Sequence, residues 1–340
     1  MNSQAGLNLK TRVLGKAGLE VSELGLGCMG MSFSYGGAPE QESINTIHRA
    51  VERGITFLDT AEVYGPYTNE ELLGKAIKPI RSKIQIATKF GFKILPHGEG
   101  LSRMAGVDSR PVHIRQAVDA SLQRLGIETI DLLYQHRVDP AVPIEDVVGT
   151  MADLVKAGKV RFLGLSEVST QTLARAHAIH PIAAVQSEYS LWSREPEQGM
   201  LDLCRELGVG FVPYSPLGRG FLTSAIKTSQ MLGEGDFRKT LPRFQEQALQ
   251  SNLAVLEQLQ TLATQKGCSL AQLSLAWLLR QGSNIVPIPG MRKRSHLEDN
   301  AVATDVDLNA NDLLAIDRAF AMTPIKGGRY TDAELTMLNL

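Results

Sequence analysis

Short, almost unbroken apolar runs alternate with longer amphipathic stretches through most of this chain. The compact runs lie at 23–28 (ELGLGC), 55–59 (ITFLD), 84–89 (IQIATK), 130–136 (IDLLYQH), 160–166 (VRFLGLS), 182–187 (IAAVQS), 209–215 (VGFVPYS) and 284–289 (NIVPIP). Continuous apolar character over so few residues suits parallel strands buried on both faces. Between them, helical periodicity predicts helices at 40–53, 68–77, 111–125, 143–157, 169–178, 199–207, 251–281 in two pieces, 295–302 and 309–321.

Turn chemistry marks the helix ends. Pro111 and Pro143 suit first helical positions, and Thr68 and Ser269 suit N-caps. Gly54, Gly126, Gly158, Gly208 and Gly282 follow helical runs as C-terminal capping glycines do. Strand–helix units that repeat without a change of composition predict a (β/α)8 TIM barrel. It is expected as a single domain spanning 1–340, with its core at about 10–322 and short polar tails. Residues 10–22 read as a hairpin turning at Lys16-Ala17-Gly18 that plugs the barrel floor. Residues 216–250 form a connection after strand seven too long and polar to be ordinary, the usual mark of a lid or a disordered segment. An open doubly wound sheet would bring a GxGxxG turn into a helix after its first strand. Here the glycines at 25, 27 and 30 have other spacing and lead into a glycine-rich loop at Phe33 to Pro39.

Composition narrows the function classes. The chain has 340 residues and a formal net charge of −1, so neither a nucleic-acid footprint nor an acidic tail is expected. No long apolar run suggests a membrane span, and the N-terminal residues lack a signal-peptide core. Its 3 cysteines, Cys28, Cys204 and Cys268, fit neither a disulfide framework nor zinc spacing. A reducing cytoplasm is the simplest location, and the oligomeric state stays open.

In such a barrel the chemistry belongs to the C-terminal strand ends. In order, those ends carry Asp59, Lys89, His136, Ser166, Gln186 and Tyr214-Ser215. Metal catalysis is not favoured: His177 and His180 are followed by Pro181 and better explained at a helix C-terminus. Hydrolysis by a nucleophile is not favoured either, because there is no GxSxG elbow and no cysteine beside a base.

The segment Asp59-Thr60-Ala61-Glu62-Val63-Tyr64-Gly65 resembles the DTAxxYG motif of the aldo-keto reductases. Thr88-Lys89, Gln135-His136, Gly164-Leu165-Ser166, Gln186 and Tyr214-Ser215-Pro216-Leu217-Gly218 follow in that family's order. The resemblance covers about residues 10–322 and implies NADPH-dependent reduction of a small-molecule aldehyde or ketone, reversible as alcohol oxidation. Tyr64 is then the general acid and base. A free tyrosine holds its proton to a pKa near ~10, and a neighbouring ammonium favours the phenolate, so Lys89 is expected to lower it. Asp59 would keep Lys89 charged, and His136 would donate a hydrogen bond to the substrate oxygen.

The resemblance further implies that Gly27, Cys28, Met29 and Asp59 border the cofactor, that Ser166 and Gln186 hold the nicotinamide carboxamide, and that Tyr214 stacks on its ring. The pyrophosphate would lie along Ser215, Pro216, Leu217, Gly218 and Gly220, with Arg238 clamping it from the long loop. Gly290, Arg292, His296, Asp299 and Asn300 would surround the adenosine 2′-phosphate and base. Two positions depart from the common pattern: Glu167 stands where Asn is frequent, and Ala225 where Lys is frequent. Met29, Met31, Phe33, Phe90 and Trp192 are expected to frame an apolar mouth, with the 91–109 loop above it. Residues 219–245 are expected to be mobile until cofactor orders them. The alternative is a cofactor-sensing regulatory subunit resembling the potassium-channel β subunits.

Overall fold

The computed structural model describes residues 9–35, 38–98 and 100–339. Residues 1–8, Gly36 and Gly37 of the expected glycine-rich loop, Glu99 of the 91–109 loop, and Leu340 lie outside the described residues. A hairpin comes first: β1 (Thr11–Leu14) pairs antiparallel with β2 (Leu19–Ser22). Leu14, Leu19 and Val21 are buried with the barrel's inward side chains, so the hairpin is the floor plug anticipated from its pattern.

The wall starts with β3 (Leu26–Gly27), covered by α1 (Glu40–Glu52), then β4 (Phe57–Asp59) with α2 (Thr68–Ile77) and β5 (Gln85–Phe90). Above β5 the 91–109 segment folds into an antiparallel pair, β6 (Phe92–Ile94) and β7 (Met104–Val107). The wall continues with α3 (Pro111–Leu125), β8 (Ile130–Gln135), α4 (Ile144–Lys156), β9 (Val160–Ser166) and α5 (Thr170–Ile179). Then come β10 (Ile182–Glu188), α6 (Met200–Leu207) and β11 (Gly210–Tyr214). These seven strands form one parallel sheet in the order β11-β10-β9-β8-β5-β4-β3.

The expected eighth strand is present as a stave rather than a regular ladder. Val286 and Ile288 donate to the Phe211 and Pro213 carbonyls of β11, and Gly25 and Gly27 donate to the Pro287 and Pro289 carbonyls. Both prolines fall on the side facing β3 and have no N–H to return. The wall therefore closes, but with two backbone donors withheld by prolines along one seam.

Inside the wall, large and small residues interlock. A Cβ on Gly164 would lie 2.4 Å from the Tyr134 ring, so only glycine leaves room for that tyrosine. Two larger clusters lie between the strands and the helix ring, where α7 (Glu246–Gln265), α8 (Leu270–Arg280) and α9 (Arg294–Ala301) complete the circle. These packed layers supply the cohesion of an α/β barrel.

Several expected details change. Thr68 is the first residue of α2, and the residue before it, Tyr67, carries the cap position with φ 75°. Pro143 precedes α4 instead of entering it, whereas Pro111 does open α3 and Ser269 makes a reciprocal capping box with Gln272. Gly54, Gly126, Gly158 and Gly208 take positive φ, but Gly282, two residues beyond the end of α8, does not. Residues 216–250 are not a featureless polar loop. Phe221, Leu222, Ile226, Leu232, Leu241 and Phe244 are buried in the main core and tie a series of short 3-10 turns to the barrel. The tail is not simply polar either: after α10 (Ala310–Met322) it returns over the barrel mouth and forms α11 (Asp332–Leu335).

Candidate functional site

Strand parity explains which side chains meet. Successive residues of a strand face opposite sides, so residues two apart share a face. Phe57, Ala87, Leu132, Tyr134, Ala184 and Val212 all face the barrel interior. Two steps further along each strand are Asp59, Lys89, His136, Gln186 and Tyr214, and Ser166 lies two beyond the inward Gly164. The sequence-predicted set thus converges at the C-terminal mouth.

Lys89 is the hub. Its Nζ donates to Asp59 Oδ1 at 2.5 Å, to the Thr60 carbonyl at 2.7 Å and to Tyr64 Oη at 3.2 Å. Asp59 is 3% exposed and Lys89 1%, so the pair is shielded from water and from screening ions. Burial raises the Asp59 pKa, against the pull of Lys89. For Lys89 burial works to lower the pKa, but Asp59 and Tyr64 outweigh it, leaving the ammonium above its ordinary range. The Tyr64 phenol also moves up, because its desolvation exceeds the opposing effect of Lys89. That corrects the expectation of a lowered tyrosine: at neutral pH this phenol keeps its proton.

His136 stands edge-on to Tyr64, ring centroids 5.8 Å apart, and edge-on to Phe92 at 4.9 Å. Desolvation, with Arg137 and Lys89 adding to it, holds its pKa well below 6.5 and keeps the imidazole neutral. Its Nδ1 is buried with no hydrogen-bond partner among the described residues.

The expected nicotinamide group is present but differently engaged. Gln186 Nε2 donates to Asp59 Oδ2 at 2.8 Å, and Ser166 Oγ accepts from Arg137 at 3.3 Å. Tyr214 Oη donates to Glu167 Oε1 at 2.8 Å and sits 2.9 Å from Tyr330 Oη. Beside β3, the Cys28 side chain is fully buried among residues facing the helices, so only its backbone reaches the mouth. Gly27 and Met29 lie at the rim, half-buried.

After β11 the chain passes Ser215, Pro216 and Leu217 into a turn where Ser215, Gly218, Arg219 and Gly220 all have positive φ. Arg238 bonds Asp236 and the Arg219 carbonyl, and its guanidinium lies 4.8 Å from the Tyr35 ring. Opposite, Gly290 is exposed and leads into Arg292, Lys293 and Arg294 at the start of α9, whose first turn has no side-chain cap. His296 is exposed on that turn. Asp299 instead accepts from Ser269 and Gln272 at the start of α8, and Asn300 is buried.

Of the residues expected to frame the mouth, Phe33 stacks near Tyr64 and Met29 is at the rim. Met31 and Phe90 belong to the strand–helix cores, and Trp192 is 4% exposed, stacked on Phe221 at 4.1 Å. Phe90 follows Lys89, and parity turns it outward; Phe92 takes its place. Sequence reasoning missed Phe92, Arg137, Glu188, Arg329 and Tyr330. Arg137 directly follows Gln135-His136 and was open to notice, but nothing local marks Arg329 or Tyr330.

The Aldo/keto reductase family model matches residues 23–321. Among solved structures, a glycerol dehydrogenase from Gluconobacter oxydans is 29% identical, with a TM-score of 0.84 over 96% of this chain and 98% of that one. An aldo-keto reductase from Bacillus halodurans, solved in holo form, is 27% identical with a TM-score of 0.76, over 92% and 96% of the two chains. A thermostable aldo-keto reductase in complex with the inhibitor epalrestat is 29% identical with a TM-score of 0.71, over 92% and 100%. No helix among the described residues is long and apolar enough to cross a membrane. With the barrel, the buried lysine hub and a family match over nearly the whole chain in agreement, the chain belongs to the aldo/keto reductase family, oxidoreductases that interconvert carbonyls and alcohols.

Proposed function

We propose that this protein reduces a small aldehyde or ketone with NADPH, with Tyr64 as the acid that protonates the product oxygen. The observation carrying this reading is the buried ammonium of Lys89, which bonds both Asp59 and Tyr64 Oη. A protonated phenol beside a fixed cation is suited to the task. It keeps its proton until charge develops on the substrate oxygen, and the phenolate it leaves is stabilised at once. Asp59, itself held by Gln186, keeps the ammonium in place. Neutral His136 directs a polar edge into the same mouth and would hydrogen-bond the carbonyl oxygen, orienting it toward Tyr64.

The surrounding residues fit a dinucleotide. His136 Nδ1 is a buried polar atom without a partner among the described residues, Tyr214 offers an aromatic wall, and the first turn of α9 has no side-chain cap and lies beside three cationic side chains. Ser166, Gln186 and Tyr214 would hold the nicotinamide end. Ser215 to Gly220 would hold the pyrophosphate, with Arg238 above, and Gly290, Arg292 and His296 the 2′-phosphate, on the helix terminus that anions favour. When bound, the cofactor supplies hydride to the carbonyl carbon; the carbonyl oxygen then takes the Tyr64 proton, and an alcohol forms. Phe33 and Phe92 beside the acid favour an apolar carbonyl compound.

Steady-state oxidation of NADPH over a panel of aliphatic and aromatic carbonyls tests the reading. Turnover on at least one class is expected. Tight NADPH binding with no turnover on any would overturn it and make the chain a cofactor sensor.

A further inference from the structure

The C-terminal segment crosses the mouth that the barrel strands build. Its course is fixed at both ends: Lys326 exchanges hydrogen bonds with the Asn252 side chain, and Asn339 accepts from the Ser169 backbone and hydroxyl. Arg243 adds a bond to the Gly327 carbonyl. Between these pins, Arg329 is 6% exposed and reaches Glu167 through two parallel bonds of 2.9 and 2.8 Å.

Glu167 is unusual on its own strand. It follows β9 with φ 51°, a conformation costly for a residue with a side chain, and it is fully buried. Its carboxylate accepts from Arg329 twice, from Tyr214 Oη and from the Glu188 backbone N–H. Three of these bonds fall on Oε1 and one on Oε2, and Arg329 supplies one to each oxygen. Glu167 is therefore committed to the tail, which accounts for a residue here that departs from the common asparagine.

The same network reaches the segment after β11, residues 216–250, called the lid below. Glu188 Oε2 accepts from Arg219 at 2.8 Å and lies 3.9 Å from Arg329. The Arg219 guanidinium covers the Tyr330 ring at 4.8 Å and the Phe237 ring at 5.2 Å, so it touches the tail and both ends of the lid's charged stretch. Tyr330 in turn meets Tyr214 at 2.9 Å. We propose that residues 323–339 are a strap, with Arg329 and Tyr330 as positioning residues: Arg329 locks onto Glu167, and Tyr330 fixes the Tyr214 wall and latches Arg219 of the lid. The first role rests on the proposed nicotinamide site; the latch on the lid does not.

The strap is held by charge and hydrogen bonds more than by apolar burial, since residues 326–328 are exposed. It can be released without excavating the core. The variant Glu167→Gln/Arg329→Met removes both charges and leaves neither buried alone; Tyr330→Ala leaves the ion pair intact and removes the latch. Hydrogen exchange over residues 219–241 is read without cofactor, and NADPH release is read by its fluorescence in stopped flow. Circular dichroism confirms the fold. Loss of charge-assisted bonds makes lid exchange and NADPH release roughly tenfold to a hundredfold faster in the double variant. Tyr330→Ala is expected to accelerate both, and Arg329→Lys to retain part of the protection. Unchanged lid exchange in Tyr330→Ala, or in a folded double variant, overturns the strap. Should the wild-type protein fail to bind NADPH, the functional reading falls, while lid exchange still decides the latch.

Discussion

Two sets of buried charges share this barrel mouth, and they are built in opposite ways. Asp59 and Lys89 stand on adjacent strands β4 and β5, 30 residues apart in sequence, with geometry set by sheet register. Glu167 and Arg329 are 162 residues apart, and Glu188 and Arg219 are 31 apart; one partner of each pair stands at or just beyond a strand end and the other on a segment outside the sheet. The inner pair cannot relax without deforming the wall. The outer pairs can part whenever a loop or tail moves. On the proposed function, chemistry falls to the inner set, whose geometry is held by the sheet. On the proposed strap, admission and release fall to the outer set, where low local stability is useful.

The sharpest way to break this division is Tyr64→Phe. Removing a positioned acid lowers turnover by about 10²–10⁴-fold, while NADPH affinity, measured by fluorescence titration, and melting temperature stay close to wild type. A variant that loses cofactor affinity in proportion to turnover would show that Tyr64 belongs to the binding rim.

A smaller effect is expected at the adenosine end. Replacing Arg292 and Lys293 by Ser removes the charge-assisted hydrogen bonding to the phosphate, together about 1.5–3 kcal/mol. NADPH affinity then falls roughly tenfold to a hundredfold, NADH affinity changes little, and kcat at saturation is kept. Equal losses for the two cofactors would move the discriminating contact away from the start of α9.

The mildest effect is a pH dependence. Alcohol oxidation needs the phenolate, and burial has raised the Tyr64 pKa, so its rate climbs toward alkaline pH. Carbonyl reduction needs the protonated phenol and stays level through neutrality. His136 is neutral throughout, its pKa lying well below 6.5, so neither profile bends between about pH 6 and 8. Lys89→Met removes the larger of the two opposing charges, leaving Arg137, and moves the oxidation limb to still higher pH. An inflection in the neutral range would mean that His136 titrates during turnover.

The division between inner and outer sets also governs what the sequence discloses. Strand parity and the run from Asp59 to Tyr64 place the inner residues without a structure, because period two and a short loop leave little freedom. The β6–β7 pair over the mouth was half visible: the segment was foreseen as a cover, but Phe92 was hidden behind the outward-facing Phe90. The strap was illegible. Arg329 lies in a stretch with no periodicity, and its partner is chosen by the path of the chain over the barrel. For the same reason nothing local shows that Asp299, expected at the adenosine site, accepts from the capping side chains Ser269 and Gln272 of α8. The lid illustrates a third case. Its polar composition concealed six apolar anchors because they fall one or two at a time between turns.

The prolines of the eighth stave give the barrel a built-in fault line. Gly25 and Gly27 donate across it to Pro287 and Pro289, which have no N–H to give back, and the ladder resumes where Gly27 bridges Gly290. Net, each missing bond forgoes about 0.5–1.5 kcal/mol. That line is also where the first and last segments of the wall meet, so the entropy of joining distant parts of the chain falls on the same thin joint. Immediately beyond it stand Arg292 and the first turn of α9. A ligand gripping both Met29 on one bank and Arg292 on the other would act as a rivet across the joint, stiffening the barrel where its own backbone is least able to.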